Sequence, residues 1–259
     1  MIFVCYIFLM EPDINKTISS VNFQVHALRD ELLTMINTKA NVNNGRTHEN
    51  TVELIDFGGG DLNHAMSAWT STSRDLSSEK IARIGSLLIT LAENEHGTPF
   101  EKSYLQFLVH SDIASHIHML KHRIGVSING QSARYREFTE DAFYIPRDWP
   151  IGEQTLLEQH MTECFRKYHA TVNILMSKGY SRARAKESAR FYLPYGIQIY
   201  TDISFNMRSF AHFVTLRSSQ HAQVEIKEIS VKMLKLVSCI PDFEKTLDAM
   251  LGNEKHKWA

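Results

Sequence analysis

Four short segments carry the residue types and spacings best suited to chemistry. The first is the basic triplet Lys121-His122-Arg123, followed by Ile-Gly-Val-Ser-Ile-Asn-Gly-Gln and then Ser132-Ala-Arg134-Tyr135. Residues 121–137 hold four Lys or Arg (Lys121, Arg123, Arg134, Arg136) and one Glu (Glu137), a local +3 in a chain of net charge -1. Guanidinium forks match phosphate and carboxylate oxygens bidentately, and backbone N–H groups of a Gly-containing loop add donors. The stretch is a candidate anion site, with a solvated basic surface as the alternative. The second is Arg182-Ala-Arg184-Ala-Lys186-Glu187-Ser-Ala-Arg190. On a helix, positions 182, 186 and 190 share a face, and Glu187 and Arg190 stand one turn apart and can pair. The alternative there is an exposed, charge-laced helix.

The third segment runs Asn206-Met-Arg208-Ser-Phe-Ala-His212-Phe-Val-Thr-Leu-Arg217 and on through His221 to Glu225. Arg208 and His212 share a helix face. Arg217 falls at an expected helix break, where its head group can project into a cleft. His221 and Glu225 are spaced one helical turn apart, which also suits a plain N-terminal salt pair. The fourth is Glu95-His96-Gly97-Thr98-Pro99-Phe100-Glu101, a titratable His in a tight turn between a helix and a strand.

The elements that must position these residues follow from periodicity. Val52–Phe57 alternates as a strand, and Asp61 is expected to N-cap a helix ending near Trp69. Ser78 to about Asn94 has apolar residues at helical spacing (Ile81, Ile84, Leu87, Leu88, Leu91). Tyr104–Val109 reads as a buried strand and Ile113 to about Lys121 as a short helix. Residues 124–150 read as mostly irregular. Gln154–Ser177 is a long helix with Leu157, Met161, Cys164 and Tyr168 on one face, and Ser181 starts another to about Phe191. Ile197–Phe205 is a strand. The remainder is helical, with breaks near Ser218–Ser219 and at Pro241. Strands and helices mix without a strict βαβ rhythm, so the class is α+β.

Composition narrows the reading. The chain has 259 residues, 43% hydrophobic and 22% charged, as an ordinary globular protein does. With a net charge of -1, no bulk field draws it to nucleic acid or membrane. Cys5, Cys164 and Cys239 are odd in number and widely spaced, which excludes a disulfide scaffold or a thiolate zinc site. The opening MIFVCYIFLM is too short to span a bilayer and lacks a basic leader, so a cytoplasmic protein is expected. The polar, Asn-rich stretch 38–51 reads as a loop. It divides an N-terminal extension, residues 1–50, from a catalytic domain, residues 51–259.

Taken in order, the segments resemble the flavin-dependent thymidylate synthases. The basic-His-Arg triplet, then Ser, then Arg-Tyr signature of that family stands here as Lys121-His122-Arg123, Ser132 and Arg134-Tyr135. VELIDFGGGDL, HGTPFE, FYIP, ESARFYLP, NMRSF and LRSSQHAQVEI resemble family segments in matching order, from about residue 52 to about 240. The resemblance implies an α+β fold with a mixed sheet flanked by helices, assembled as a homotetramer with active sites shared between subunits. It implies reductive methylation of dUMP to dTMP, with 5,10-methylenetetrahydrofolate as carbon donor and FAD, reduced by NADPH, as hydride source.

Residue matching assigns Ser71, His96, Thr98, Lys121, His122, Arg123, Asn206, Arg208 and His212 to the flavin. It assigns Glu101, His118, Gln131, Ser132, Arg134, Arg190 and Arg217 to dUMP. Arg134 and Arg190 suit the phosphate. Arg217 would contact the pyrimidine and stabilise developing negative charge, with Ser132 as a further contact at the reacting nucleotide. No cysteine matches a covalent nucleophile. The chain departs from the usual pattern at Lys121 (for Arg), at Gly130 (for Glu), at His118 and His212 (often Gln and Asn), and in an eight-residue loop between Arg123 and Ser132. Two readings compete. One is a metal-dependent hydrolase using His116, His118 and His122. The other is a nucleotide- or RNA-binding module.

Overall fold

The computed structural model describes residues 14–252, with side chains from residue 23 onward. The apolar opening lies outside the described residues. Helix α1 (Ile14–Ala40) leads through a loop into strand β1 (Thr51–Gly58). The loop is tied down: Asn43 exchanges hydrogen bonds with Val52 (3.0 and 2.8 Å), and buried Glu49 meets Arg147 at 2.5 Å and Lys232 at 3.8 Å. The end of α1 inserts Ile36 and Ala40 into the main core.

Strand β2 (Tyr104–Asp112), β3 (Val126–Gly130) and β4 (Gln198–Phe205) complete a four-stranded sheet in the order β1-β2-β4-β3. Every pairing is antiparallel, so the expected mixed sheet is corrected to an antiparallel one. Its strands are joined without the right-handed crossovers that parallel neighbours need. Alternation sets the buried face: Leu105, Phe107 and Val109 on β2 stand opposite Phe205, Ile203 and Thr201 on β4.

That face is covered by α2 (Asp61–Trp69), α4 (Ile84–Glu93), α8 (Met207–Arg217), α9 (Val224–Val237) and α10 (Glu244–Leu251). A second apolar cluster gathers α6 (Ile151–Ser177) and α7 (Arg182–Ala189) with Phe138, Phe143, Ile197 and Ile199. In α6, Met161, Cys164 and Tyr168 are buried, as their spacing predicted.

Three local expectations are corrected. The helix over 78–94 is two, α3 (Ser78–Ala82) and α4, because Arg83 leaves helical geometry at φ -99°, ψ 10°; Ile81 is consequently exposed. Gly60, not Asp61, is the N-cap of α2. The Asp61 carboxylate instead accepts from Lys245 N (3.0 Å) and Thr246 N (2.8 Å), capping α10 from across the core. The stretch 124–150 is mostly irregular, as expected, with β3 inside it. The helix expected to reach Phe191 stops at Ala189 and tightens into a 3-10 turn over Arg190–Tyr192.

Candidate active site

The Lys121-His122-Arg123 triplet follows α5 (Ile113–Met119), whose first turn is capped by Asp112. Gly125 then turns the chain into β3 at φ +67°, and a Cβ there would run into Ser209 Oγ and Asn206 Nδ2. The glycine lets the loop lie directly on the start of α8. Asn206 N-caps that helix by accepting from Ser209 N at 2.8 Å, and Ser209 Oγ donates to Ile124 O at 2.7 Å. Beside this junction opens a cleft of about 410 Å³, lined by Glu101, Ile124, Gly125, Asn206, Arg208, Ser209 and His212. Arg208 Nη1 donates to Glu101 Oε1 at 2.8 Å.

His212 leads deeper. Its ring lies 5.9 Å from that of His122, which is 8% exposed and packs edge-on against Phe213 at 5.0 Å. Arg217, the last residue of α8, donates from Nε to His122 Nε2 at 3.0 Å. Its Nη1 meets His118 Nδ1 at 3.4 Å, and its Nη2 meets the His118 carbonyl at 3.4 Å. Because arginine can only donate, both imidazoles turn a lone pair toward it. His118 Nε2 then faces Gln223 Oε1 at 3.0 Å, a partner that sequence reasoning missed. Burial pushes the His122 pKa down to about 4, and Arg217, His212 and His118 press it the same way. Burial also lowers that of Arg217.

A second group lies at the far end of β3, about 16 Å along five extended residues. Gln131 continues the pairing: its N–H donates to Tyr200 O at 2.7 Å, and its Oε1 accepts from Tyr200 N at 3.1 Å. Ser132 opens a turn, its carbonyl accepting from Tyr135 N and Arg136 N. Arg134 reaches across to Glu187 at 2.5 Å. The expected Glu187–Arg190 pair is therefore replaced: Glu187 serves Arg134 and, at 3.6 Å, Arg184, while Arg190 stands exposed past the helix end. Position 186 does not share an exposed face with 182, because Lys186 is buried and donates to Tyr135 O.

The remaining expected site residues are peripheral in this chain. His96, Thr98, Lys121, Arg123 and Ser71 are exposed, Ser71 in the turn beyond α2 with its hydroxyl on Ala68 O at 2.9 Å. His221 lies in the turn before α9 and so is not one helical turn from Glu225. His116, His118 and His122 diverge: His116 bonds Thr201, and the other two face Arg217. Among the described residues no group of three His, Cys, Asp or Glu could hold a metal ion.

Residues 53–241 match the family model of the thymidylate synthase complementing proteins. The chain belongs to this family. Two curated relatives are named flavin-dependent thymidylate synthase. The one from Thermotoga neapolitana is 31% identical over 191 residues, covering 71% of this chain and 84% of the relative. That from Streptomyces avermitilis is 27% identical over 208 residues, covering 72% and 82%. A crystal structure of the UMP/dUMP methylase PolB from Streptomyces cacaoi, bound with 5-Br dUMP, is 26% identical and superimposes with a TM-score of 0.67 over 80% of this chain and 96% of that one. The resemblance to flavin-dependent thymidylate synthases read from the sequence is thus borne out, and the α+β fold of this thymidylate synthase complementing family member with it. No helix among the described residues is long and apolar enough to cross a membrane.

Proposed function

We propose that the protein converts dUMP to dTMP, taking the carbon from 5,10-methylenetetrahydrofolate and using FAD reduced by NADPH. The observation that carries the reading is Arg217, held beside His122, whose ring neighbours that of the cleft residue His212, by two imidazole lone pairs with no carboxylate in reach among the described residues. C5 of uracil attacks a one-carbon electrophile only if negative charge can build on the ring oxygens. A fixed guanidinium, half-buried and not neutralised by an acid, stabilises that charge.

The cleft fits a planar, partly apolar ring system: Ile124 offers an exposed apolar surface, and Arg208, Asn206 and His212 line the walls. Arg208, Asn206, His122 and His212 are the residues that would hold the flavin, with His96, Thr98, Lys121, Arg123 and Ser71 reaching its outer parts. When bound, the flavin supplies the reducing equivalent. His122 orients Arg217, His118 fixes the guanidinium plane through Gln223, and Glu101 holds Arg208 in place.

Ser132, Arg134, Gln131 and Arg190 would receive the nucleotide phosphate. They stand past the far end of β3 from Gly125 and its cleft. The homotetramer implied by the family, with active sites shared between copies, belongs to the same reading. The test is dTMP formation by purified protein given dUMP, FAD, NADPH and methylenetetrahydrofolate, with each omitted in turn. Product that needs all four is expected; a flavin-loaded protein that forms none would defeat the reading.

A further inference from the structure

His116 and Gly130 lie outside both the cleft and the candidate phosphate loop, yet they touch. His116 projects from α5 onto the last rung of the β3–β4 pairing, where Gly130 stands opposite Thr201. Its Nδ1 lies 2.9 Å from the hydroxyl of fully buried Thr201. A Cβ added at Gly130 would come within 2.9 Å of His116 Cε1 and 3.3 Å of Nε2. The ring therefore fills the volume in which any side chain at position 130 would begin. Real Cβ atoms do not approach other heavy atoms so closely, so the two positions are sterically coupled.

The candidate phosphate loop begins immediately past that rung. Gln131 is held to Tyr200 by both its N–H and its side-chain oxygen, and Ser132 starts the turn that carries Arg134. We propose that His116 is a positioning residue for the nucleotide: by packing on Gly130 and bonding Thr201, it fixes where β3 ends and hence where Ser132 and Arg134 are presented. The glycine at 130 is then one half of a matched pair. Burial lowers the His116 pKa, so the ring is a neutral packing element near pH 7. The inference rests on the reading of residues 131–134 as nucleotide-binding.

The test uses full-length, flavin-loaded protein and dUMP. Affinity is measured calorimetrically, alongside KM and kcat, for the wild type, His116→Ala, Gly130→Glu and the double variant. His116→Ala should weaken dUMP binding about tenfold and raise KM by the same factor, with kcat changed about twofold or less and flavin content kept. Gly130→Glu should weaken it more, and the double variant should bind about tenfold tighter than Gly130→Glu alone, because the glutamate gains the vacated space. If His116→Ala does not stay folded, His116→Gln, whose amide can still meet Thr201, should bind dUMP within about threefold of the wild type. Wild-type affinity in His116→Ala, additive effects in the double variant, or a His116→Gln that fails to restore binding would overturn the proposal. A wild-type protein that loads flavin but binds no dUMP would instead defeat the functional reading beneath it.

Discussion

Lowering the pH from 7 to 5 should destabilise this protein through a histidine that never meets solvent. His64 is 0% exposed and lies between Phe100 and Phe243, with ring centroids at 5.5 and 6.0 Å. Its Nδ1 meets Thr246 Oγ1 and its Nε2 meets Ser103 Oγ, each at 2.9 Å. One hydroxyl donates and the other accepts, so a neutral ring is fully satisfied. The Asp61 carboxylate, one bond farther on, takes the Thr246 hydroxyl proton and does not touch the ring, and burial pushes the pKa down to about 4.

In the unfolded chain the same group titrates near 6.5. The unfolded state therefore binds more protons between these values, and stability present above pH 6.5 is lost as pH falls toward 4. The slope approaches 1.4 kcal/mol per pH unit, the loss between pH 7 and 5 is about 2 kcal/mol, and it levels off near ~3 kcal/mol below pH 4. His64→Gln keeps two hydrogen-bonding ends and does not titrate. In urea unfolding at both pH values, the wild type should lose about 2 kcal/mol more than His64→Gln on acidification. Equal losses, or an NMR titration of His64 near 6.5, would refute the reasoning. His122 contributes a parallel loss common to both proteins, so it cancels in the comparison.

Arg217→Lys keeps the charge but loses the Nε donor to His122 and the planar fork. The rate of dTMP formation should fall about 100-fold with flavin content unchanged, and an unaltered rate would remove Arg217 from the chemistry. Gly125→Ala places a Cβ against Ser209 and Asn206 at a positive φ, so stability should drop by ~1–3 kcal/mol and the purified protein should carry less flavin. A melting temperature and visible spectrum like the wild type's would count against the loop geometry. Asp61→Ala strips the caps from Lys245 and Thr246 and should cost ~1–2 kcal/mol, lowering the melting temperature by about 3–6 °C. No shift would mean that α10 does not depend on its distant cap.

Sequence pattern revealed what periodicity encodes and missed what depends on distant neighbours. The strands over 104–112 and 198–205 and the long helix over 151–177 were legible because alternation or a repeating apolar face extends over many residues. β3 was not. Val126 and Ile128 do alternate with Ser127 and Asn129, but five residues ending in Gly at a sheet edge give too short a signal. Asp61 stands just where a helix begins and so reads as its own cap, whereas its carboxylate serves a helix 184 residues away. At Arg83 the backbone departs from the helix while the apolar spacing carries on through it, so spacing alone joined two helices into one.

The site shows the same division, and charge pairing explains which part matters. Residue types and one helix break were enough to single out Arg208, His212 and Arg217, and the fold brings the first two to one cleft and sets Arg217 on His122, the neighbour of His212. Spacing along the chain could not show which arginines are already neutralised, because most of the partners lie far away in sequence. Arg134 is held by Glu187, Arg182 by Glu137, Arg136 by Glu140 and Arg208 by Glu101. An incoming phosphate must compete with a carboxylate for each of these. Arg190 and Arg217 have no such competitor among the described residues, and Arg217 faces two imidazole lone pairs and the His118 carbonyl. Of the three arginines expected to contact dUMP, these two therefore offer an anionic substrate a charge that no carboxylate among the described residues already holds. Arg217 is the more shielded from water, so its field is the less screened, and that is where charge developing on a pyrimidine would be stabilised most.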